Sequence, residues 1–194
     1  MYKMMEQGRS MIEMLGVLAI IGVLSVGGLK VIGQFQSNLK STQIVNDFVD
    51  FVRMSRKLAC QFDEGYDTSP SGVGYMYMIR KNNAYPSHFK TKEGDRRYLY
   101  GVNNVAYYAV ASEHYPKKMG YQVSNLSEND CIRLATTDLG YTAQTGFIGF
   151  FINSADDKKA VSGTSSYPMS LSKATELCSK KTGNSLAFDY TGCI

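Results

Sequence analysis

Between Glu13 and Lys30 the chain runs through sixteen residues, Met14 to Leu29, without a charge. As a helix they cover about 24 Å at 1.5 Å per residue, slightly short of a ~30 Å hydrocarbon core. Met11, Ile12 and the snorkelling stem of Lys30 extend that length to a plausible span. Beyond Lys30 the pattern becomes periodic. Ile32, Phe35 and Leu39 recur every three to four residues, as do Val45, Phe48, Val49 and Val52. Lys40, Asn46, Asp47, Asp50, Arg53 and Lys57 fill the opposite face. No proline interrupts Met11 to Phe62, so the spacing predicts one helix of about fifty residues, on the order of 75 Å. Gly33 to Thr42 is its weakest section, polar and bearing Gly33.

The rest of the chain reads as short elements. Asp63 to Gly74 (DEGYDTSPSGVG) is turn chemistry that ends the helix. Tyr75 to Arg80, Arg97 to Val102, Val105 to Ala111 and Gly120 to Val123 read as strands, with a charged loop from Lys90 to Arg97. The alanines of Val105 to Ala111 also permit a helix there. Ser127 to Leu139 predicts a helix: Ser127 and Asp130 resemble a capping box, Cys131, Leu134 and Ala135 share a face, and Gly140 ends it. Thr145 to Asn153 is an apolar strand with Phe147, Phe150 and Phe151, followed by a turn at Ala155-Asp156-Asp157-Lys158. Ser170 to Lys181 predicts the last helix, with Leu171, Ala174, Leu177 and Cys178 on one side, stopped by Gly183-Asn184. Ser185 to Tyr190 closes as a strand. The order is long helix, strands, helix, strand, helix, strand, which is α+β with a largely antiparallel sheet.

Glu13 stands at the lip of the apolar run. A carboxylate entering a bilayer is expensive and usually marks a function with a partner, although one lying in the headgroups needs none. A cleaved secretory signal is the rival for this segment. It wants a basic start and a small-residue cleavage site, whereas Lys3 and Glu6 cancel and the nearest small cluster is Ser25-Val26-Gly27-Gly28.

Gly8, then Arg9-Ser10-Met11-Ile12-Glu13, then Met14-Leu15-Gly16-Val17-Leu18-Ala19-Ile20-Ile21-Gly22-Val23-Leu24-Ser25, resembles the N-terminus of type IV prepilins and type II secretion pseudopilins. In that family a dedicated peptidase cuts after the glycine and N-methylates the new first residue, and a glutamate stands fifth in the mature chain. The resemblance implies that Gly8 ends a leader of residues 1–8, that Arg9 becomes the methylated terminus, and that Glu13 is the assembly glutamate. Arg9 replaces the usual Phe or Met of that first position, and the helix-kinking proline common in the family is missing. The match is close over roughly the first thirty residues and extends to the rest in layout. It implies a helix over 9–62, with 9–30 as membrane and fibre-core half and 31–62 as amphipathic half, and a pilin head over 63–194. It implies subunits polymerising with one another, handled by a prepilin peptidase and held in the bacterial inner membrane before export to an extracellular pilus. A minor pilin, pseudopilin or membrane-tethered binding domain is the alternative.

Net charge is +4, and removing residues 1–8 takes away Lys3 and Glu6 and leaves it unchanged. That mild excess does not by itself point to nucleic acid. Cys60, Cys131, Cys178 and Cys193 form an even set in a chain read as exported, which predicts disulfides in one of three full pairings. Similarity to the larger type IVb pilins implies Cys131 with Cys178, leaving Cys60 with Cys193. Cys178 with Cys193 and Cys60 with Cys131 is the other arrangement weighed. No CxxC or Cys/His cluster suggests a metal, and no cofactor or small-molecule substrate is expected. His88 and His114 read as ordinary surface or structural residues. No nucleophile elbow, HExxH, P-loop or telling acidic pair occurs, so an enzyme is not expected. Tyr75, Tyr77, Tyr98, Tyr100, Tyr107 and Tyr108 read mainly as core and sheet face. Exposed tyrosines beside Lys90, Lys92, Arg96 and Arg97 could instead meet carbohydrate or DNA, whereas Lys117-Lys118 and Lys180-Lys181 read as solvated.

Overall fold

A computed structural model describes residues 5–61, 73–111, 118–140, 146–153 and 167–191, with no side-chain description at 5–10, 12, 23–34, 73, 111, 118 and 191. Residues 63–72 of the predicted 63–74 loop, the turn at 155–158, and His114, Lys117 and Cys193 lie outside the described residues, and the last two loop positions, 73 and 74, belong to a helix. Helix α1 spans Met5–Gln61, continuous through the polar section at Gly33 to Thr42. The remaining elements are α2 (Val73–Lys81), β1 (Leu99–Tyr100), a 3-10 turn (Val102–Asn104), β2 (Ala106–Ala111), β3 (Lys118–Leu126), α3 (Glu128–Thr136), β4 (Phe147–Ile152), α4 (Leu171–Leu177) and β5 (Asn184–Thr191). The chain falls into two compact units, Met1–Lys40 and Ser41–Ile194.

In the second unit one stripe of α1 is buried. Ile44, Phe48, Phe51, Val52, Ser55, Leu58 and Ala59 face the core, at the three-to-four spacing that puts residues on one side of a helix. Val49, expected in this stripe, is only half-buried, and Phe51 takes the core position. Phe48 packs on Phe188, and Phe51 meets Tyr107 and Tyr121 edge-on. Each such ring removed from water stabilises the fold by about 1.5–3 kcal/mol.

The sheet is antiparallel in the order β1-β2-β3-β5-β4, so the last strand in sequence lies between two earlier ones. Along β5, Leu186, Phe188 and Tyr190 turn inward and Ser185, Ala187 and Asp189 outward, the period of two that a half-buried strand requires. In β4 the register slips between Phe147 and Gly149. That extra residue resets the alternation, so Phe147, Phe150 and Ile152 all reach the core despite their mixed parity. A second slip between Val123 and Leu126 does the same in β3.

The expected strand at Tyr75 to Arg80 is instead α2. Tyr75, Met76 and Ile79 are buried while Tyr77 is exposed, a helical rather than an alternating pattern. Asn83 ends α2 at φ 51. Its N–H donates to the Arg80 carbonyl, and Ala84 N–H donates to Ile79 at 2.9 Å, closing a Schellman cap. Strand β1 is shorter than expected and β3 longer. Helix α3 ends at Thr136 rather than at Gly140, because Thr137 supplies the cap and the Thr136 and Thr137 hydroxyls donate to terminal carbonyls. Helix α4 ends at Leu177, and Leu171, expected inside, is exposed while Ala174 and Cys178 are buried.

Candidate functional site

Two features stand out, one in each unit. In the first, α1 carries an exposed apolar surface. Met11, Met14, Leu15, Val17, Leu18, Ile20 and Ile21 are all exposed, between 52% and 70%, on every side of the helix. A Cβ added at Gly16 or Gly22 would meet open space. Glu13 is exposed amid this surface. A helix apolar all round is one built to be buried by something else. Among the described residues no helix is long and apolar enough to cross a membrane, and the side chains of 23–34 lie outside the description. Backbone α1 passes through Gly8 and Arg9, whose side chains are likewise outside the description. Phe35 and Leu39 continue the exposed apolar surface toward Lys40.

In the second unit a set of polar side chains ties α1 to the sheet and small helices. Ser41 donates to Asp130 Oδ1 at 2.5 Å, and Ser127 donates to Asp130 Oδ2 at 2.6 Å. Ser127 also accepts from the Asp130 N–H, as the capping pattern predicts. Asp130 is buried, so these donors replace the water it loses. Tyr75 donates to the Ser55 carbonyl at 2.9 Å, which fixes α2 on α1. The buried sulfurs of Cys131 and Cys178 are bonded, with Cα atoms 5.8 Å apart, and staple α3 to α4. Cys60 is also disulfide-bonded.

His88, read as a surface or structural residue, takes a structural role as an anchor. Its Nε2 lies 3.0 Å from Asp47 Oδ1, on the buried face of α1. Asp47 Oδ2 is buried without a hydrogen-bond donor. Burial pushes the Asp47 carboxyl up from its ordinary range, against the opposing hydrogen bond from His88. Burial, with the charges of Asp47 and Asp130, likewise pushes up the Tyr107 phenol. No local motif distinguishes His88: it becomes recognisable only when the 82–98 connection folds back on α1.

That connection is a clasp. Asp95 accepts from the Tyr100 hydroxyl at 2.5 Å and from the N–H groups of Arg97 and Tyr98. The Tyr100 bond holds the Asp95 carboxyl below its usual range and pushes the phenol up to about 12. Arg80 donates to the carbonyls of Asp95 and Tyr98. Of the predicted tyrosines, Tyr75 and Tyr107 are core, Tyr98, Tyr100 and Tyr108 are half-buried, and Tyr77 is exposed. Lys180 and Lys181 are exposed, as expected.

No protein-family profile matches this chain, and no curated protein does. Solved structures do. A crystal structure of a type IV b pilin from Salmonella typhi is similar over 76% of this chain and 97% of its own, at 15% identity and a TM-score of 0.55. The solution structure of the type IVb pilin PilS from Salmonella typhi aligns at 13% identity and a TM-score of 0.42, over 78% of this chain and 96% of its own. TcpA, a type IV pilin from the Vibrio cholerae El Tor biotype, aligns at 10% identity and a TM-score of 0.40, over 77% of this chain and 99% of its own. The crystal-structure match establishes the fold as pilin-like; among the described residues it is a helix seated on an antiparallel sheet with three small helices, α2, α3 and α4.

Proposed function

We propose that this protein is the structural subunit of a type IV pilus, cut after Gly8, N-methylated on Arg9 and polymerised through its N-terminal helix. The observation that carries the reading is an exposed helix segment that is apolar except for Glu13, in a chain whose remaining elements form a pilin-like head. Before assembly the segment lies in the inner membrane. In the fibre it exchanges lipid for the helices of neighbouring copies. The new α-amine, protonated below a pKa of ~8, meets the Glu13 carboxylate of a neighbour. Either charge alone is costly in a low-dielectric core, and the pair much less so. Arg9 adds a second cation beside that carboxylate. The work is mechanical and no catalytic step is involved. In the head we propose that Cys60 pairs with Cys193, tying α1 to the C-terminus beside the Cys131–Cys178 bond.

Glu13→Ala should leave membrane insertion intact and abolish incorporation into fibres. Intact mass and N-terminal sequence of the protein from cells should show a chain starting at Arg9 with one added methyl. An uncleaved chain, or a cut near Gly28, would remove the polymer reading and leave a tethered or secreted binding domain.

A further inference from the structure

Within the 41–194 unit a cleft of about 560 Å³ opens between α1 and the connection that ends at Asn104. Small-molecule sites have volumes of about 300–1,000 Å³. Its walls carry Gln43, His88, Lys90, Lys92, Asn103 and Asn104: two ammonium groups, an imidazole and three carboxamides. None of its described lining residues is acidic.

The walls are held in place. Lys90 and Tyr100 exchange two backbone hydrogen bonds at 2.8 Å, which fixes the arm that bears both lysines. Asn103 and Asn104 sit side by side in the left-handed region, at φ 55 and 57. The turn is closed by Gly101 N–H on Val105 and Val105 N–H on Val102, and Asn125 donates to the Asn104 carbonyl at 3.1 Å. The His88 ring is fixed from below by buried Asp47. A site whose donors are fixed beforehand loses less conformational freedom when a ligand binds.

We propose that this cleft binds an anionic saccharide, a sugar unit bearing a carboxylate or sulfate. The lysine ammonium groups take the anion as charge-assisted donors. The carboxamides, each both donor and acceptor, pair with ring hydroxyls, which are the same. Single-stranded nucleic acid fits less well, because its bases need free aromatic faces. The described wall holds two rings: His88, tied to Asp47 and packed edge-on with Phe89, and Tyr100. Lys92 Nζ covers one of its faces at 3.8 Å from the centroid, and its hydroxyl is taken by Asp95.

The test uses the full chain in detergent micelles, before any assembly, so that it stands apart from the polymer question. A heparin tetrasaccharide, neutral maltotetraose and an oligothymidylate of matched charge are titrated calorimetrically at low and at physiological salt. The tetrasaccharide should bind, and maltotetraose about tenfold or more weaker, the equivalent of one charge-assisted bond. Lys90→Ala with Lys92→Ala should weaken the tetrasaccharide by about tenfold or more. Asn103→Gly with Asn104→Gly keeps the left-handed backbone and removes only the amides. It should lower saccharide affinity about threefold or more while leaving the melting temperature and oligothymidylate binding unchanged. Lys180→Ala with Lys181→Ala should change nothing. The proposal is overturned by absent saccharide binding or by equal affinity for maltotetraose. It is equally overturned by tighter binding of oligothymidylate, or by the same loss from the Lys180 and Lys181 pair as from the cleft lysines.

Discussion

Removing the Cys131–Cys178 bond tests how the small helices are held. The two cysteines are 47 residues apart, and the intervening loop contains all of β4. In the chain-entropy account, whose mechanism is disputed, closing a loop of that length stabilises the native state by about 4 kcal/mol, through restriction of the unfolded chain. Both sulfurs are fully buried, so replacing them with alanine would also remove packing. Reduction separates the two effects, because the dithiol keeps both sulfurs and loses only the link. The comparison is best made in a Cys60→Ala/Cys193→Ala background, which retains only the buried pair. That protein is unfolded in urea, oxidised and reduced. With a slope of about 2 kcal/mol per molar urea for a domain of this size, the midpoint should fall by about 2 M on reduction, with the slope little changed. A fall equivalent to less than about 1 kcal/mol would refute loop closure as the source of stability. It would place the hold of α3 on α4 in packing and in the Met169 N–H bond to the Ala135 carbonyl.

Three further outcomes are expected. Gly101→Ala should destabilise the protein by about 1–3 kcal/mol through overpacking, because the new Cβ would lie 2.9 Å from Tyr107 Cε2 and 3.1 Å from Phe89 Cε1; chemical denaturation measures it. Asn83→Ala should cost about 1 kcal/mol and Asn83→Gly little, since the α2 cap needs φ 51 there; thermal melts of the two variants separate backbone conformation from side-chain loss. Asp47→Asn should stabilise the protein increasingly as pH rises from acid to neutral. The Asp47 pKa is raised by burial, with Asp50 adding to it and His88 opposing. The stability linked to that raised pKa is full below the unfolded value and lost as pH rises through the folded one. A stability difference that stays flat from pH about 3 to about 7 would contradict this assignment.

Much of this architecture could be read from one-dimensional spacing. The buried stripe on α1, the Ser127 cap and the alternation in β5 each rest on a local rule, helical period, cap chemistry or pleat. The pairing of Cys131 with Cys178, by contrast, came from resemblance, since four cysteines leave three pairings open. Where local rules compete, the sequence is mute. Tyr75 to Arg80 satisfies both a strand and a helix, and the choice follows from Tyr75, Met76 and Ile79 all finding the core at once. In β4 a strict period of two would have placed Phe147 and Phe150 on opposite faces, until the slip at Gly149 brought both inside.

The same division holds for function. Sequence alone determined the charge-free run from Met14 to Leu29 and the placing of Gly8, Arg9 and Glu13, because those depend only on order along the chain. Tertiary structure alone decided that His88 anchors α1 through Asp47, that Asp130 gathers two serines 86 residues apart, and that Gln43, Lys90 and Asn103 share one cleft. Such groupings rest on contacts between residues far apart in sequence, which leave no periodic trace in the order of residues.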